Sequence, residues 1–149
     1  MPNIKIMRKL FFIAFLFCFQ ILSAQVLSER EESRVIDELL NERFNVLLPQ
    51  LMERTGIDMW VVISREYNED PVLKTMLPST WLSARRTTML VFFKDPKKKE
   101  LEKLAIARYN VGESIKAAWH LNKFPNQWDA LKDIIVTRNP NKIAINTSE

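Results

Sequence analysis

The chain has 149 residues, 47% of them hydrophobic, with 22 Lys and Arg against 18 Asp and Glu. That is one domain's worth of sequence, able to bury roughly two thirds of its unfolded surface. With only two glycines and one cysteine, the chain excludes glycine-rich phosphate loops of the dinucleotide or P-loop type, and it excludes a disulfide framework.

The first element in chain order is an export signal. Lys5, Arg8 and Lys9 form a basic start, Leu10 to Leu22 is a nearly unbroken apolar run, and Ser23-Ala24 offers small residues for cleavage. The run is 13 residues long, against roughly 20 needed to cross the hydrocarbon core. A cleaved signal over residues 1–24 is therefore expected, and with it an exported, periplasmic or secreted protein that meets a membrane only through that segment. Cys18 lies between Phe17 and Phe19, not in the small-residue context of a lipidated cysteine. Removing the signal takes away three basic residues and no acidic ones, so the net charge falls from +4 to about +1. The one basic run left, Lys97-Lys98-Lys99 after Asp95-Pro96, reads as a solvated hairpin tip. Nucleic acid is not an expected partner, because that needs a broad basic face with stacking aromatics.

A helix follows, opened by Ser28-Glu29-Arg30-Glu31 in the spacing of a capping box. Ile36, Leu40, Phe44, Leu47 and Leu51 recur at intervals of three and four, widened by Leu39 and Leu48. Pro49 predicts a kink or a split of the helix near Asn45 to Leu48, and Gly56 a left-handed stop. Ile57 to Ile63 reads as a strand buried on both faces. Asp70-Pro71 predicts the cap of a short helix through Val72 to Met76, interrupted by Pro78-Ser79-Thr80. Thr87 to Phe93 and Leu101 to Tyr109 form two more strands, joined as an antiparallel hairpin. Gly112 marks a turn, after which Trp119 and Leu121 are expected over the sheet. Trp128, Leu131 and Ile135 have helical spacing, between Pro125 and Asn139-Pro140. Lys142 to Asn146 reads as a last strand. The order predicts an α/β domain with a mixed β-sheet flanked by helices.

Chemistry is harder to find. His120 is the only histidine, with no cysteine after the signal and no serine in a nucleophile-elbow context, so it reads as structural. Zinc lacks its usual histidine and cysteine ligands. The apolar strand empties into Arg65-Glu66-Tyr67-Asn68-Glu69-Asp70, and the carboxyl ends of such strands are where open α/β sheets place ligands. The three carboxylates there lack the spacing and glycine of a calcium loop. They are expected to pair with Arg65 or, through Asp70, to cap a helix. Arg85-Arg86 suits pairing with these acids or with a ligand carboxylate. Of the four tryptophans, Trp60 and Trp128 read as core, whereas Trp81 stands between a contact surface and core packing. Arg65, Glu66, Tyr67, Asn68, Trp81 and Arg85 are thus the candidate residues for substrate access or an interface, and no catalytic or metal-binding residue is assigned.

Gly56-Ile57-Asp58-Met59-Trp60-Val61-Val62-Ile63, the run Arg65-Glu66-Tyr67-Asn68-Glu69-Asp70-Pro71, Trp81-Leu82-Ser83-Ala84-Arg85-Arg86, and the closing Lys142-Ile143-Ala144-Ile145-Asn146 together resemble the amino-terminal domain of the pita-bread metallopeptidases. That family contains Xaa-Pro aminopeptidases, prolidase and creatinase, and more narrowly the chain resembles exported bacterial members of the Xaa-Pro aminopeptidase-like type. The resemblance covers about residues 27–149 and implies a ribonuclease-H-like, creatinase-type domain over 25–149 that is not itself catalytic. In such enzymes a following domain holds two divalent metal ions (manganese, zinc or cobalt) on two aspartates, a histidine and two glutamates, and they activate a water. None of those motifs matches here, so no cofactor is expected in this chain. The resemblance implies a role in homo-oligomerisation and active-site access, with peptide substrate met at most indirectly. The alternative is a stand-alone exported module that binds peptides or oligomerises without enzymatic activity.

Overall fold

The computed structural model describes residues 7–9, 26–98 and 100–147. The expected signal, residues 1–24, lies outside the described residues except for Met7-Arg8-Lys9, which are helical. Among the described residues no helix is long and apolar enough to cross a membrane. Contacts divide the chain into two units, Met1–Arg30 and Glu31–Glu149; the sheet and both cores lie in the second.

Helix α1, Glu29–Glu42, begins directly after Ser28, where the capping box placed it. It runs into a π-helical turn, Arg43–Leu47, and then α2, Leu48–Thr55. The buried residues of this stretch are Leu40, Phe44, Leu48 and Met52, each four positions after the last. An α-helix turns in 3.6 residues, so a strict four-residue repeat drifts around it, and one wider turn takes up the drift. Pro49 causes that widening: it has no N–H for the Asn45 carbonyl, and the Leu48 amide reaches five residues back to the Arg43 oxygen. The expected kink or split is thus a π-helical turn that divides the stretch into α1 and α2, and the stripe moves by one residue, leaving Leu47 47% exposed while Leu48 is buried. Gly56, at φ 64°, ends α2 in the left-handed conformation and donates its N–H to the Glu53 oxygen at 3.1 Å.

Strand β1, Met59–Arg65, pairs antiparallel with β2, Thr87–Phe93, from Met59↔Phe93 to Arg65↔Thr87. Between them lies the short helix α3, Pro71–Thr75. Strand β3, Glu102–Ala105, pairs antiparallel with β2 through the expected tip, where Asp95 accepts the amides of Lys97 and Lys98. A two-residue strand β4, Lys116–Ala117, joins β3 in parallel. After helix α4, Gln127–Arg138, strand β5, Ile143–Ile145, joins β1 in parallel. The result is a five-stranded mixed sheet in the order β4-β3-β2-β1-β5, flanked by helices as expected.

Alternation along β1 and β2 explains why both are apolar throughout. Trp60, Val62, Leu90 and Phe92 meet Leu40, Phe44, Leu48 and Met52 on one face. Met59, Val61, Met89, Val91 and Phe93 meet Ala130, Leu131 and Ile134 of α4 on the other. Each fully buried side chain of this size contributes about 2 kcal/mol. Asp58, just before β1, accepts the amides of Asn141 at 2.8 Å and Lys142 at 3.2 Å, which fixes the start of β5 beside β1.

Two apolar residues depart from expectation. Trp128 is 58% exposed, because the inward position of the first turn of α4 belongs to Gln127, whose side-chain amide donates to the carbonyls of Thr87 and Ile106. Leu121 is exposed, while Trp119 packs over the sheet as expected and donates its indole N–H to the Phe124 oxygen at 3.0 Å.

Candidate functional site

The polar run after β1 is held by backbone-directed bonds. Ser64 is buried, and its hydroxyl accepts the Asp70 amide at 2.9 Å while donating to the Asn68 oxygen at 3.4 Å. The Asn68 amide donates to the Arg65 oxygen at 3.0 Å, which closes a tight turn that puts Tyr67 in the left-handed region at φ 66°. Tyr67 is consequently 96% exposed at the tip. Asp70 caps α3, its Oδ1 accepting the Val72 amide at 2.7 Å. That part of the expectation is met, but among the described residues no ion pair joins Arg65 to the neighbouring acids.

The acids reach instead to the Trp81-to-Arg86 segment. Glu69 Oε1 accepts the Ala84 amide at 2.8 Å, and its Oε2 pairs with Lys74 at 3.1 Å. The Glu66 amide donates to the Arg86 oxygen at 2.8 Å, and its Oε2 accepts the Arg86 amide at 3.2 Å. The contact of these acids with this segment thus runs through the backbone of Ala84 and Arg86 and not through Arg85, and among the described residues no ion pair joins them to either guanidinium. Thr88, buried, fixes the same segment: its hydroxyl oxygen accepts the Arg85 amide at 3.0 Å.

The six candidate residues do not form one pocket. Arg65 and Asn68 line an open cleft of about 490 Å³ with Ser64, Glu69, Asp70 and Asn146. Glu66 and Tyr67 border a separate depression with Lys74 and Ser83. Trp81 and Arg85 line a third cleft, of about 310 Å³, beside Arg86, Arg108, Tyr109 and Trp119. In that third cleft the Arg85 guanidinium lies 4.6 Å from the Trp81 ring centre, and the Arg108 guanidinium 5.9 Å from that of Trp119. Trp81 and Tyr109 face each other with ring centres 5.9 Å apart.

Sequence reasoning missed Arg108, Tyr109 and Trp119. It carried the third strand through Tyr109, although regular pairing stops at Ala105 and the residues beyond it turn toward the Trp81 segment. The signal available was position: Arg108 and Tyr109 come just after a strand, as Glu66 and Tyr67 come just after β1.

Chemically, the carboxylates of Glu66, Glu69 and Asp70 are already engaged by amides. Among the described residues no group of three or more His, Cys, Asp or Glu is placed to hold a metal ion. His120 is exposed, outside all three clefts. What these surfaces offer is recognition through arginine, aromatic and amide groups. Comparisons with family models, with curated proteins and with solved structures each returned no match.

Proposed function

We propose that this chain is the non-catalytic amino-terminal domain of an exported metallopeptidase of the pita-bread, Xaa-Pro aminopeptidase-like type, with a ribonuclease-H-like sheet. In this reading the domain serves homo-oligomerisation and access to an active site built by residues outside this chain, where the two metal ions reside. The observation that carries it is the interlock between two of the four sequence runs that underlie the resemblance, Arg65–Pro71 and Trp81–Arg86. Glu66 and Glu69 of the first run accept the amides of Arg86 and Ala84 of the second, so the two runs act as one structural unit. The strand arrangement agrees: three antiparallel strands in sequence order, extended beyond β1 by a parallel strand that follows a helix.

The experiment is a hydrolysis assay on an Xaa-Pro peptide with and without manganese, using residues 25–149 and, in parallel, the native exported product. The reading expects no turnover from residues 25–149 and metal-dependent turnover from the native product. Turnover by residues 25–149 alone refutes the non-catalytic role. An inactive native product favours the stand-alone binding module, the second reading, which the arginine-lined cleft at Trp81 supports.

A further inference from the structure

We propose that the cleft between the Trp81–Arg86 segment and the Ala105–Tyr109 segment binds a small oxyanion, a carboxylate or phosphate, carried on a flat apolar body. The inference is independent of the family reading. Arg85, Arg86 and Arg108 line a cleft of about 310 Å³ whose lining contains no Asp or Glu. That volume sits at the lower end of small-molecule sites. Carboxylates balance Arg34 and Arg138, through Glu38 and Glu102. Among the described residues, none of the three in the cleft has such a partner.

Like charges gathered without compensation repel, and an anion relieves that repulsion. The groups are also pre-set. Arg85 and Arg108 lie against Trp81 and Trp119, which restrains two long side chains and lowers the entropy lost when they clamp a ligand. Thr88 holds the backbone of Arg85 from below. A planar guanidinium suits carboxylate and phosphate alike. The Trp81–Tyr109 pair beside the arginines favours a flat apolar body beside the charge over a bare ion.

The test is isothermal titration of the purified protein at low salt with indole-3-acetate, phenyl phosphate, inorganic phosphate and the neutral indole-3-acetamide, repeated with Arg85→Gln and Arg108→Gln. The expected result is binding of at least one organic anion, about tenfold weaker binding of the amide and of inorganic phosphate, and about tenfold loss in each variant. Arg34→Gln, remote and paired, serves as control and leaves the affinity unchanged. Preference between indole-3-acetate and phenyl phosphate assigns the oxyanion as carboxylate or phosphate. The proposal is overturned if no organic anion binds at millimolar concentration, if the amide or inorganic phosphate binds as well, or if both Arg→Gln variants keep full affinity.

Discussion

Replacing Asn146 by Ala removes a side chain that extends the sheet where the main chain stops doing so. The register Met59↔Ile143, Trp60↔Ala144, Val61↔Ile145 ends there. One position on, the Asn146 amide takes over: Oδ1 accepts the Ile63 N–H at 2.8 Å, and Nδ2 donates to the Ile63 oxygen at 2.8 Å and to Asp70 Oδ2 at 2.9 Å. Two neutral bonds contribute about 1 kcal/mol each and the bond to the carboxylate about 1.5 to 3 kcal/mol. Because the site opens on the cleft at Arg65, water recovers part of this, and the expected loss is about 3 kcal/mol, or about 10 °C in Tm. Asn146→Asp sharpens the test. It keeps the acceptor for Ile63 but sets a second carboxylate against Asp70, which raises the pKa of the pair in the folded state. A raised carboxylate pKa means that the penalty is full at neutral pH and fades as pH falls toward the unfolded value of about 4. Urea unfolding followed by tryptophan fluorescence at pH 7 and pH 5 measures both. A loss below about 0.5 kcal/mol for Asn146→Ala, or a pH-independent deficit for Asn146→Asp relative to wild type, refutes the reasoning.

Three further expectations concern single contacts. The amides of Asn141 and Lys142 hold the Asp58 carboxyl below the usual aspartate range. Its stabilising effect is present above the unfolded pKa of about 3.9 and lost as pH falls through the lower folded value. Asp58→Asn is expected to cost about 1 kcal/mol at pH 7, discounted for solvent screening, and nothing once the pH is below both values; urea midpoints across that range check it. At Gly112, φ is 63° and an added Cβ meets Pro78 Cγ at 3.0 Å, whereas Gly56, at φ 64°, has open space around it. Gly112→Ala should therefore lower stability by about 2 kcal/mol and Gly56→Ala by about 1 kcal/mol, read as Tm shifts; equal effects contradict the packing argument. Glu102 holds Arg138 through two bonds of 2.8 and 2.7 Å that tie the end of α4 to β3. Glu102→Gln is expected to cost about 1.5 kcal/mol, while Glu38→Gln at the exposed helical pair costs under about 0.5 kcal/mol in the same denaturation assay.

The parts legible in sequence were those in which one physical signal dominated. β1 and β2 carry apolar residues on both faces and were found within two residues of their bounds. Asp70, Asn139-Pro140 and Gly56 marked helix ends through local backbone chemistry, and Asn139 adopts φ 45° at the end of α4. Where two signals competed, the reading slipped. Pro49 was visible as a break, but not that the backbone absorbs it as a π turn, which moved burial from Leu47 to Leu48. Trp128 has the spacing of a core residue, yet Gln127 faces the sheet because two carbonyls there need a donor. β4 has only two residues, one of them Lys116, too short for any periodicity to show. Half of the candidate site was read in the same way: the strand ends at Arg65 and Arg85 stood out, but Arg108 and Trp119 reach the Trp81 cleft only through chain topology, which spacing does not encode.

The proposed function puts the chemistry in residues outside this chain. The intact mass of the native product tests that proposal most directly. The account predicts a mass well above that of residues 25–149, with the added sequence containing two aspartates, a histidine and two glutamates as metal ligands. A native product whose mass equals residues 25–149 contradicts it.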